Sequence, residues 1–152
     1  MLRRTLLTAA IAAALPGLAA AQEGEAQQNR RTPPPPITPE NALERAFIAA
    51  LNDPDERPEF RSLLLTSQVV LAMANSSPES APLELTFGDL QLTPIFTSET
   101  RMNAVLGPAA PRRRLTGRQA LTRLRGKNVV LNMMHTPMLT LEPEDVAEYL
   151  RQ

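Results

Sequence analysis

Chemistry in a protein needs side chains that move protons, attack, or hold metal, and few of the usual ones occur in this chain. It contains a single histidine, His135, and no cysteine. Neither the G-x-S-x-G turn of a serine hydrolase nor the H-E-x-x-H helix of a zinc protease is present, and no glycine loop has a phosphate-cradling pattern. Serines and carboxylates remain, so an unrecognised hydrolase stays open as one reading. The most unusual segment is Met133-Met134-His135-Thr136-Pro137-Met138. Thioether sulfur is a soft ligand that suits Cu(I), and imidazole also binds copper, so Met133, Met134, His135 and Met138 form a candidate metal set. Two points weigh against it. Successive strand side chains point to opposite faces, which separates Met133 from Met134, and Met133 and Met138 serve equally well as core fillers.

The charged and polar residues suggest binding more than reaction. Arg112, Arg113, Arg114, Arg118, Arg123, Arg125 and Lys127 follow one another with no intervening acid. Anionic lipid or another polyanion would dock on such a run, through Arg112–Arg114 above all; a solvated loop and helix face is the ordinary alternative. Asp53, Asp55, Glu56 and Glu59 lack the ligand spacing of a calcium loop and read as charges at helix ends. Thr97, Ser98 and Asn132 fall at the ends of expected strands. They either cap helices and turns or line a rim where the N–H groups of a helix meet a small anionic ligand.

The elements that would position these groups can be read along the chain. Arg3 and Arg4, the uncharged stretch from Thr5 to Leu15, the break at Pro16-Gly17 and the small residues Ala19–Ala21 make residues 1–21 a signal peptide, with cleavage between Ala21 and Gln22. The arginine pair partly matches a twin-arginine signal, so export by that route or by general secretion leads to the periplasm or beyond. The apolar stretch is too short to be a good membrane span, and no mature span is expected. Without cysteine, stability must come from the core rather than disulfides. The full chain has no net formal charge; a leader with two arginines and no acid leaves a slightly acidic mature protein, unlike a dedicated nucleic-acid binder.

Residues 22–38 are polar and carry Pro33–Pro36, which predicts a disordered, partly polyproline linker. The folded domain, 39–152, is expected to open with Thr38 as N-cap and Pro39 in the first turn. Leu43, Ala46, Phe47, Ala50 and Leu51 make one apolar stripe, and a shorter helix after Pro58 presents Phe60, Leu63 and Leu64. Strands are expected at Gln68–Ala74, Leu83–Phe87 and Leu90–Thr97, with Pro94 placing part of the last at an edge. A helix capped by Thr97 or Ser98 runs to Leu106, and another starts in the capping box Thr116–Gln119. Strands at 128–133 and 139–141 and a helix opened by Pro143 complete the chain. The order describes an α+β single domain, a largely antiparallel sheet of about four strands with helices packed on it. Phe47, Leu51, Leu85, Phe96, Leu121 and Leu131 are expected to share one core.

Several of these segments occur in a recognisable order: Thr38-Pro39-Glu40-Asn41-Ala42-Leu43-Glu44, Asp53-Pro54, Arg57-Pro58-Glu59-Phe60, Pro94-Ile95-Phe96-Thr97-Ser98-Glu99, Leu131-Asn132 and Leu141-Glu142-Pro143-Glu144-Asp145-Val146. Together they resemble the N-terminal domain of the SseB family of bacterial proteins, over about Pro39 to Leu150. The family usually follows Leu-Asn with Pro-Gly, where Met133-Met134 stands here, and longer members carry a second domain. The resemblance implies no established enzyme activity. The expectation is therefore an exported, non-enzymatic interaction or ligand-binding domain without a cofactor, meeting a protein or a small anionic ligand, with copper binding or hydrolysis as alternatives.

Overall fold

The computed structural model describes residues 33–151. The expected leader, its expected cleavage site Ala21/Gln22 and most of the expected linker lie outside the described residues. The last linker residues are tied to the domain: Ile37 N–H donates to the Thr136 carbonyl at 2.7 Å, and Thr136 Oγ1 donates to the Pro34 carbonyl at 2.7 Å.

The first helix, α1 (Ala42–Asn52), starts later than expected, with Asn41 rather than Thr38 as its cap. Asn41 Oδ1 accepts from the Glu44 N–H at 2.9 Å, and Glu44 Oε2 accepts from the Glu40 N–H at 2.8 Å. This reciprocal pair satisfies the Glu44 N–H in the first turn and the Glu40 N–H just before the cap, while the Thr38 carbonyl is engaged by Arg101 Nη2 at 2.6 Å. The helix buries Leu43, Glu44, Phe47 and Ala50. Leu51 is 56% exposed, not in the core as expected; it lies about 100° around the helix from Ala50, beyond the buried arc. A 3-10 turn, Pro54–Glu56, is capped by Asp53 Oδ1, which accepts from the Asp55 N–H. It leads into α2 (Arg57–Thr66), which buries Phe60, Leu64 and Leu65.

One mixed sheet follows. Its strands are β1 (Gln68–Ala72), β2 (Leu85–Phe87), β3 (Leu90–Phe96), β4 (Arg112–Thr116), β5 (Asn128–Leu131) and β6 (Leu139–Leu141). The order is β4-β1-β3-β5-β6, with β2 also paired to β3. Six strands thus replace the expected four or so, and β3–β5 is parallel while the other pairings are antiparallel. The strand missing from the sequence reading is β4, whose arginines resemble a loop.

Pro94 does not mark an edge, since β3 lies between β1 and β5. The Ile95 carbonyl accepts from the Asn132 N–H, so Ile95 aims its backbone groups at β5 and Pro94, one residue back, aims away from it. On that side β1 pairs only with Ile95 and Phe96, and β2 only with Leu90–Leu92. The missing N–H of Pro94 falls in the gap between them, where no ladder bond is lost.

Helices cover both faces. Leu71, Ile95, Val129 and Leu131 pack with α1, α2, α4 (Gly117–Arg123) and α5 (Pro143–Leu150) in the larger core. Val70, Ala72 and Phe96 pack on the opposite face with Met102, Val105 and Leu106 of α3 (Glu99–Leu106). Phe47, Leu121 and Leu131 share a core as expected, but Phe96 belongs to the other face, because it alternates with Ile95, and Leu85 is only half-buried. Gly117 lets α4 start against α2: a Cβ there would lie 1.6 Å from the Leu64 carbonyl oxygen.

Candidate functional site

Thr97 and Asn132 meet, as their places at adjacent strand ends suggest, but the meeting is interior. The Thr97 N–H donates to Asn132 Oδ1 at 3.0 Å, and Asn132 Nδ2 donates to Thr97 Oγ1 at 3.0 Å. Thr97 Oγ1 in turn donates to Glu44 Oε1 at 2.6 Å. Glu44 is 0% exposed, and Arg101 holds its carboxylate from α3 through Nε and Nη2. Burial raises the carboxyl pKa, but hydrogen bonds from Arg101, Thr97 and the Glu40 N–H, with the charge of Arg101, outweigh it and hold the group below its ordinary value. The hydrogen bond from Glu44 in turn raises the pKa of Arg101. Ser98 caps α3, its Oγ accepting from the Arg101 N–H at 3.2 Å. The expected ligand rim is therefore filled from within by Glu44 and Arg101. Neither residue stood out in the sequence, although Glu44 carried a signal: it is a charge at i−3 from Phe47, inside the apolar arc.

The Met/His segment divides between interior and surface. Met133 is 7% exposed, Met134 58% and Met138 52%, so Met138 does not fill core. His135 Nε2 lies 2.9 Å from the Arg101 carbonyl oxygen; since that oxygen only accepts, Nε2 carries its proton there and is not free to ligate. Asn132 and Met134 have φ of 54° and 62°. Asparagine tolerates this left-handed region, which is uncommon for methionine.

The arginines of β4 do not form an open basic loop. Arg112 donates to Asn103 Oδ1 and to the carbonyls of Gly107, Pro108 and Ala110, which organises the turn between α3 and β4. Arg113 donates to the Pro78 carbonyl at 2.6 Å, and Arg114 pairs with Glu99 at 2.7 Å. Lys127 pairs with Glu84. A polar groove of about 210 Å³ runs past Gln68, Thr97, Ser98, Glu99 and Arg114. Ser98 and Thr97 border it, but their polar atoms already serve the cap and the interior.

A different concavity has free capacity. It measures about 290 Å³ and is lined by Phe47, Ala50, Leu51, Arg57, Phe60, Leu139 and Tyr149, contributed by α1, α2, β6 and α5. Phe47 and Phe60 stack at 4.9 Å between centroids and 16° between planes, forming one wall. Tyr149 forms another and is fixed by Arg61, whose guanidinium lies 4.8 Å from the ring centroid and bonds to Glu148. Burial raises the Tyr149 pKa, so the phenol stays protonated. The sequence reading missed this site because its residues come from four separate elements; the signals available were the lone tyrosine and Arg57 at i−3 from Phe60.

A single mixed sheet with helices on both faces, with the buried Glu44, Thr97 and Asn132 bonded to one another and to Arg101, defines a small α+β domain. The sequence pattern of the SseB protein N-terminal domain matches residues 43–148, and the chain belongs to that family. Comparison with curated proteins and with solved structures finds no match.

Proposed function

We propose that the protein is an exported, non-enzymatic ligand-binding domain whose contact site is the pocket between α1, α2, β6 and α5. The pocket itself carries the reading: it combines stacked aromatic walls with a few polar groups at the rim, the composition of small-molecule sites, and its volume of about 290 Å³ lies near the lower end of their range. The polar residues at the strand ends bind one another, which leaves this pocket as the favoured surface. Export rests on the leader-like residues 1–21, with a mature start at Gln22.

Two measurements test the proposal. Titration of the isotopically labelled domain with a small neutral aromatic such as benzyl alcohol should move the NMR signals of Ala50, Leu51, Leu139 and Tyr149 and leave those of β4 in place; unmoved pocket signals at millimolar concentration would contradict it. Mass analysis of protein from the periplasm should give an N-terminus at Gln22, and a chain retaining Met1 would rule out the cleaved leader. Replacing Arg3-Arg4 by two lysines should block export only if the twin-arginine route is used.

A further inference from the structure

We infer that the pocket takes a small monocarboxylic acid with an aromatic or branched apolar body, its carboxylate held by Arg57; this rests on the binding reading above. Three observations carry it. First, α1 and α2 sort their side chains into two faces. Glu56, Glu59 and Arg45 line a separate depression with Ala42, Ala46, Ala49 and Leu63, whereas Arg57 lines the apolar pocket beside Phe60. Glu56 and Glu59 therefore face a different depression, and no carboxylate is among the pocket's lining residues. Second, Arg57 is exposed and has no ion pair among the described residues. Its neighbour Arg61 is occupied by Glu148 and the Tyr149 ring. A free guanidinium at an apolar rim matches a carboxylate joined to an apolar group, which it can bind in a bidentate fashion. Third, the volume limits the body. An apolar cavity of about 150 Å³ holds benzene, so about 290 Å³ accommodates roughly a dozen non-hydrogen atoms.

The probe pair is 3-phenylpropionate and its neutral isostere 3-phenylpropanamide, titrated by NMR or calorimetry into the full domain and into Arg57→Gln. The substitution is at an exposed side chain and should leave folding intact, which circular dichroism checks. The acid should bind the wild type about tenfold more tightly than the amide, and Arg57→Gln should lower the acid's affinity to that of the amide. High salt should narrow the difference. If acid and amide bind equally, or if Arg57→Gln leaves the acid's affinity unchanged, the pocket stands and the carboxylate assignment falls. If neither binds, the pocket reading itself falls and takes this inference with it.

Discussion

Arg101 holds both carboxylate oxygens of Glu44, Nε donating to Oε1 and Nη2 to Oε2, each at 3.0 Å. Through this pair α1, the end of β3 and the start of α3 are joined. The segment before α1 joins them, since the same guanidinium donates to the Thr38 carbonyl. Asn132 links the end of β5 to the set by way of Thr97. A buried ion pair is weak evidence for added stability, because desolvation offsets attraction, but removing one partner leaves an uncompensated charge.

Arg101→Met should therefore destabilise the domain by about 3–5 kcal/mol in urea unfolding. The double variant Glu44→Leu/Arg101→Met should recover much of that loss, since no buried charge remains. A single-variant cost below about 1 kcal/mol would mean that water reaches the carboxylate.

The same carboxylate sets a pH dependence. Its folded pKa is depressed, so near that range the unfolded chain binds protons more readily than the folded one. The stabilisation is then fully present above the unfolded value of about 4.3 and is lost as pH falls through the lower folded value. Melting temperature should drop more steeply on acidification below about pH 4.3 in the wild type than in Glu44→Gln. Parallel profiles would show that Glu44 titrates alike in both states.

Asn132 combines two roles that substitution can separate. Alanine removes the acceptor for the Thr97 N–H and must adopt φ near 54°, which together should cost about 2–4 kcal/mol. Asn132→Gly removes the same bond but tolerates the dihedral, so it should be the milder change. Equal losses in chemical unfolding would mean that backbone conformation contributes little.

Met134 provides a second test of left-handed backbone, two residues beyond Asn132. Its side chain is largely exposed, so Met134→Gly should alter stability by less than about 1 kcal/mol, losing little packing and relieving the positive φ. Met134→Val, β-branched in the same conformation, should cost about 1–2 kcal/mol more than glycine. Thermal melts that rank valine at or above glycine would place residue 134 outside the left-handed region.

The sequence by itself determined the local elements. The apolar stripe of α1 apart from its expected last member Leu51, the cap of α3 at one of the two expected residues, the Thr116–Gln119 box and the opening of α5 at Pro143 depend on neighbours a few residues away, and such periodicity and capping signals are written locally. The segments that carry the family resemblance, Phe96-Thr97-Ser98 and Leu131-Asn132 above all, are local too. Tertiary structure decided what each ambiguous residue faced. Arg112–Thr116 reads as a basic loop until β1 supplies a partner for its backbone. Pro94 reads as an edge marker until the staggered ends of β1 and β2 leave a gap at its missing N–H. Glu44 and Arg101 are 57 residues apart in sequence and meet only when α1 and α3 converge on the end of β3. The pocket depends on tertiary structure most of all, because Phe47, Arg57, Leu139 and Tyr149 come from four elements that meet only when α5 and β6 close against the first two helices. A site assembled from distant segments has no sequence period, and only packing brings its walls together.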